Sequence, residues 1–280
     1  MAGDELLERL REKFARVTKA TGVASAPNNI EIWDRLISLY SEPHRHYHAL
    51  SHLDAITSWV EKALARDGPA CLEAFDEPVL LWSAWFHDAI YEPQRHDNEL
   101  RSAELAAEML SRLPGDILTP DRVRAVVALI MATVRHQLPE LDDMQLAATI
   151  AARATGAASP AAAAAADAAA VPTPEQAERL QRLRHDAALL LDADLSALGG
   201  SPAAYAAYAA GVRAEYAPYY AGTAYAAARC GVLRGFLKRP ALYFTRWGLA
   251  VHEAAARANL AAELADLEAE VAAAEAEAGA

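Results

Sequence analysis

The sequence predicts an all-α protein, and two observations carry that prediction. Apolar residues recur three and four positions apart along nearly the whole chain, the spacing that lines one face of a helix. The alternation of β-branched and polar residues that marks a half-buried strand is almost absent. Hydrophobic residues make up 54% of 280 positions, enough for a real core, although alanine in biased tracts inflates the figure.

Residues 5–18 form the first predicted helix, with Leu6, Leu7, Leu10, Phe14 and Val17 on one face. The same periodicity predicts helices over 29–41, 47–66, 77–91, 98–113, 120–136, 184–198, 202–217, 222–238 and 249–275. Asp97 and Asn98 are natural N-caps for the helix that starts at 98. Thr119-Pro120 opens the next, because proline is tolerated in a first turn whose N–H groups have no helical partner. From Ala147 to Ala170, 16 of 24 residues are alanine, with Gly156, Ser159 and Pro160 among them. Alanine favours helix but offers little area to bury. Residues 140–182 therefore read as a low-complexity, partly helical insertion within one helical domain spanning 1–280. Residues 262–280 alternate alanine and glutamate and read as an exposed C-terminal helix or tail. A short stripe of Leu260, Leu264, Leu267 and Val271 supplies its apolar face.

A formal net charge of −12 argues against nucleic acid or a membrane surface as partner, since both need a cationic field. The start, MAGDELLERLREKF, is charged and periodic, unlike a signal peptide, and no run is apolar enough to span a bilayer. Cys71 and Cys230 are too few for a disulfide framework or a cysteine-based zinc site. The expectation is a cytoplasmic protein acting on a small molecule; a homo-oligomer is compatible with this composition.

Two anomalies point to chemistry. Four of nine histidines, His44, His46, His48 and His52, fall within EPHRHYHALSHL, and on a helix His48 and His52 would share a face. The second is VLLWSAWFHDAIY, apolar nearly all round yet carrying His87 and Asp88. A buried carboxylate costs several kcal/mol unless it is paired or bound to a metal. His-Asp alone means little, because it recurs at His96-Asp97, in a polar cap, and at His185-Asp186, on a half-polar helix where solvent exposure is the simpler reading. Downstream, LLLDADLSALGG carries Asp192 and Asp194, which diverge by roughly 200° on a helix and cannot both face one ion. Asp194 lies roughly 60° and Asp192 roughly 100° from the stripe of Leu191, Leu195 and Leu198, which favours Asp194 narrowly. Such nitrogen and oxygen ligands suit a divalent ion such as Mn, Fe, Co, Ni, Mg or Zn.

This order of histidine, His-Asp and aspartate resembles the HD superfamily of metal-dependent phosphohydrolases, built on a helical bundle. The more specific likeness is to a group of HD phosphohydrolases predicted to be metal-dependent. It is carried by EPHRHYHALSHL, AWFHDAIYEP with DNELRSA, LLDADLSALG, and AYAAYAAGVRAEY followed by VLRGFLKRPALYFT. It covers most of 30–138 and 184–262; the alanine-rich segment is longer than the short link expected there. The resemblance implies an HD-like bundle with His52, His87, Asp88 and Asp194 as metal ligands and His48 as the rival to His52. It makes Asp88 the bridging or water-orienting carboxylate of a hydrolase acting on a small phosphorylated substrate, such as a nucleotide. His136 becomes a candidate second-metal ligand or substrate contact, against the plainer role of a histidine at a helix C-terminus.

A phosphate substrate also needs cations. Arg101 and Arg213 lie within the matching stretches, and arginine's fork suits phosphate oxygens. Glu99 is a candidate for orienting a ligand histidine or for acid–base work, or simply a first-turn acid favoured by the helix dipole. Two other functions stay open: a metal-stabilised binding or regulatory module without turnover, and a di-iron oxygenase recruiting His48 and His136. No glycine-rich phosphate loop, GxSxG elbow or HExxH motif is present; His252-Glu253 begins the last, but Ala256 ends it.

Overall fold

Among the described residues the periodic spacing resolves into helices. A computed structural model describes residues 2–65, 75–114, 116–156 and 173–278; among these are twelve α-helices, one 3-10 turn and no strand. No helix among the described residues is long and apolar enough to cross a membrane. The chain divides into two compact units, one formed by Met1–Glu42 with His48–Ala193, the other by Pro43–Tyr47 with Asp194–Ala280.

The first unit holds α1 (Ala2–Ala20), α2 (Asn28–Tyr40), α3 (Leu50–Leu64), α4 (Glu77–Phe86), α5 (Asn98–Leu110), α6 (Pro120–Thr133), α7 (Leu141–Thr155) and α8 (Pro174–Asp194). At its centre is α4, whose residues Val79 to Phe86 are buried without a break and which contacts α1, α3, α5 and α6. That position is what an all-round apolar helix requires. Asp76 caps it, its Oδ1 accepting the Val79 N–H at 3.3 Å. Phe14 of α1 meets Trp82 and Trp85 of α4 edge-on, ring centroids 5.8 and 5.2 Å apart, an arrangement that suits aromatic quadrupoles. Thr119 and Pro120 open α6 as expected, the threonine hydroxyl accepting the Arg122 N–H at 3.4 Å.

Several expectations need correction. The helix predicted over 77–91 stops at Phe86: His87 is its C-cap and Asp88 lies in the following turn. That turn is held by the Ser102 hydroxyl of α5, which accepts the Ile90 N–H at 3.0 Å. Asp97 precedes α5 but caps nothing with its side chain, because Arg95 grips its carboxylate at 2.7 and 2.6 Å. The insertion read over 140–182 narrows. Its first part is α7, packed on α5 and α6 with Ala147, Ile150 and Ala151 buried, and ended by Gly156 in the left-handed region. Alanine lacks bulk to bury, yet its small size lets this helix approach its neighbours closely around one isoleucine. The stretch 157–172 lies outside the described residues, and 174–182 begins α8.

The second unit contains the 3-10 turn Leu195–Gly199, then α9 (Pro202–Tyr216), α10 (Ala224–Leu237), α11 (Arg246–Val251) and α12 (Glu253–Ala278). The helix expected over 249–275 is thus broken at His252. Leu195, Leu198, Tyr205, Leu233, Tyr243 and Leu260 are central to its core. The stripe foreseen on the C-terminal helix packs inward, with Leu267 buried and Leu264 and Val271 partly buried against that core. Pro43–Tyr47 joins this unit through α9. Buried Glu215 accepts the N–H groups of His46 and Tyr47 at 2.9 and 2.7 Å, and Tyr47 packs edge-on to Tyr208 with centroids 4.6 Å apart.

Candidate metal centre

Three helix ends and a turn bring the expected ligands together. His52 sits in the first turn of α3, His87 caps α4, Asp88 follows in the turn, and Asp194 is the last residue of α8. The division between units falls at Asp194, although the helix that carries it belongs to the first. One nitrogen or carboxylate oxygen from each of the four lies within 4.8 Å of all the others. Both imidazoles are buried, while Asp88 keeps 17% of its side chain exposed and Asp194 is half-buried. The centre is therefore enclosed by histidine and reachable past its carboxylates.

The closest three atoms fit a shared ion. His52 Nε2 and His87 Nε2 are 3.1 Å apart, His87 Nε2 and Asp88 Oδ2 3.1 Å, and His52 Nε2 and Asp88 Oδ2 3.5 Å. Ligands about 2.1 Å from one ion are separated by such distances when they subtend roughly 95° to 115° at it. The backbone prepares one of them. His87 Nδ1 lies 3.0 Å from the Ala84 carbonyl, where an Nδ1–H would donate, leaving Nε2 to face an ion or, when it carries a proton, the Asp88 carboxylate. Burial opposes ionisation of Asp88, but His87 and His52 outweigh it and hold the carboxyl well below the usual carboxylate range.

The remaining sequence candidates lie outside this group of four. His48 precedes α3 rather than riding on it; its ring stacks on Tyr91 with centroids 4.2 Å apart and stands 5.8 Å from the His52 ring. Asp192 is fully buried in α8, more so than Asp194, because that helix packs on more than one side. Its depth does not bring it into the group of four, which Asp194 joins although it is the less buried of the two. His136 lies beyond the end of α6 with φ 47, a left-handed conformation uncommon outside glycine. Glu99 is half-buried in the first turn of α5. Arg101 lines a cavity of about 410 Å³ together with Glu104, Glu108 and Arg153. Arg213 pairs both guanidinium NH₂ groups with Glu270 at 2.9 and 2.5 Å and lies over the Tyr225 ring.

Sequence reasoning missed three residues. Glu215 anchors the backbone just ahead of His48, yet in RAEYAP it looks like an ordinary surface acid. Tyr91 backs His48, and only its place three residues after Asp88 hinted at that. Asp186, expected in solvent, is buried, its Oδ1 accepting the Asp76 N–H at 3.2 Å. Comparison with protein-family models, with curated proteins and with solved structures found no match, so the metal-site reading rests on geometry and chemistry alone.

Proposed function

We propose that this chain is a divalent-metal-dependent phosphohydrolase of the HD type, acting on a phosphoester or phosphoanhydride of a small metabolite. The observation that carries the reading is the convergence of His52, His87, Asp88 and Asp194 on one point. The order of these ligands along the chain supports the HD likeness. A bound divalent ion would supply Lewis acidity toward a phosphoryl oxygen and a lowered pKa for bound water. The chain's own residues do the rest. His52 and His87 would present neutral nitrogens, the second oriented by the Ala84 carbonyl. Asp88, ionised and partly exposed, would ligate through Oδ2 and help orient a water beside the substrate. Enclosure by the buried histidines strengthens each of these interactions.

The test begins with metal content. Purified wild type is expected to retain about one or two equivalents of divalent metal, and Asp88→Ala to lose it while keeping its helical circular dichroism. A panel of phosphorylated metabolites should then show turnover that the variant lacks. Wild-type turnover persisting in Asp88→Ala overturns the assignment. Metal retained with no turnover on any phosphate compound would instead favour the non-catalytic binding module.

A further inference from the structure

A second feature of the first unit is not used by the metal centre. A cavity of about 620 Å³ lies beside the N-terminal end of α4, walled by α6, α7 and α8, and none of the four cluster residues lines it. From Val79, at its edge, α4 runs eight residues to His87; from Asp186, α8 runs eight residues to Asp194. At 1.5 Å per residue, each path is about 12 Å long. This volume is in the range of cavities that enclose a metabolite.

The lining is polar in a divided way. Four arginines and five carboxyl groups face the space, so it is no general anion trap. On one side, Arg124 of α6 and Arg179 of α8 both lean on the same oxygen of Asp121, and no other hydrogen-bond acceptor holds either guanidinium among the described residues. Two cations there share one anion, and their side chains remain 37% and 40% exposed. That pair lacks one negative charge, and a phosphate group matches two converging forks. On the other side, Asp186 is 4% exposed and lines the cavity. Its Oδ1 takes the Asp76 N–H, and Oδ2 has no partner among the described residues. Oδ2 is not among the fully enclosed polar atoms, so at the cavity wall it can accept a hydrogen bond from a ligand. Phe75 adds an aromatic wall.

We propose that this cavity is a second binding site, taking a small phosphorylated compound that also carries N–H donors. Its phosphate lies between Arg124 and Arg179, and its N–H group donates to Asp186. A nucleotide with an amino-bearing base has both ends. The site stands independently of the metal-centre reading.

Calorimetric titration of the full chain with GMP, guanosine and ribose 5-phosphate tests it, since the second probe lacks the phosphate and the third lacks the base. GMP is expected to bind more tightly than either half. Arg179→Ala and Asp186→Asn should each weaken it by about 10- to 100-fold, the usual cost of losing a hydrogen bond to a charged group. Asp88→Ala should leave GMP binding unchanged even where it removes metal and turnover, so the two proposals fail separately. The proposal is overturned if wild type shows no saturable GMP binding. It is equally overturned if only one cavity variant weakens binding, or if Asp88→Ala abolishes it.

Discussion

Asp186 shows what a single buried carboxyl does to the protein. Burial pushes its pKa from the ordinary 3.8 up to about 7, the one backbone N–H from Asp76 being too little to offset lost hydration. Between those two values the folded protein holds a proton that the unfolded chain has released. Stability must therefore fall as pH rises through that window, by up to about 4 kcal/mol in all. Asp186→Asn keeps an acceptor for the Asp76 N–H and removes the charge. Urea melts should find the variant close to wild type near pH 3.5 and increasingly more stable from there to pH 8; a wild-type stability flat across that range would refute the assignment. The same residue marks a limit of sequence reading. Asp88 was legible because an unbroken apolar segment makes any charge conspicuous. Asp186 was not, because Arg182, Arg184 and His185 precede it and suggest a solvated face, while its partner lies 110 positions away in sequence.

Helices were legible as elements because three- and four-residue periodicity is local; their ends were not, because ends are decided by contacts. Nothing within VLLWSAWFHDAIY announces a stop after Phe86, yet the turn that follows is pinned by Ser102 from α5. That early stop frees His87 and Asp88 to face one point from consecutive positions, which a continued helix would have splayed by about 100°. Composition misled at α7, where alanine concealed a packed helix. Ile150→Ala should cost about 2–5 kcal/mol as a buried truncation, whereas Leu146→Ala, 46% exposed on the same helix, should cost little. Equal small losses in denaturant melts would mean that α7 contributes no core. In the second unit, Glu215 attaches Pro43–Tyr47 to α9 by accepting two backbone N–H groups from a buried position. Glu215→Ala should destabilise by about 2–4 kcal/mol, with Glu215→Gln recovering part because its amide oxygen still accepts. A glutamine variant no better than alanine would show that the charge, not the acceptor, holds the segment.

For the molecule as a whole, the cluster joins positions 52, 87, 88 and 194, which belong to segments far apart in the chain. An unfolded chain cannot hold four such ligands around one ion, so an ion bound there would add directly to folding free energy. At a free-metal concentration one hundred times the dissociation constant, the gain is about 2.7 kcal/mol. For a chain of this size that corresponds to a rise of roughly 5 °C in melting temperature. Without the ion, two imidazoles and a carboxylate crowd within 3.5 Å, and a shared proton can relieve only one contact at a time. Wild type should therefore melt lower after chelation and recover when the metal is restored. Asp88→Ala should melt at one temperature with or without metal, having lost a ligand and the anionic charge that draws the ion in. His48→Ala should keep the full metal-dependent rise, since His48 stacks on Tyr91 outside the group of four. If Asp88→Ala kept the rise and His48→Ala lost it, the ion would sit on the histidine-rich loop, and the cluster at the end of α4 would be a structural histidine–aspartate pair.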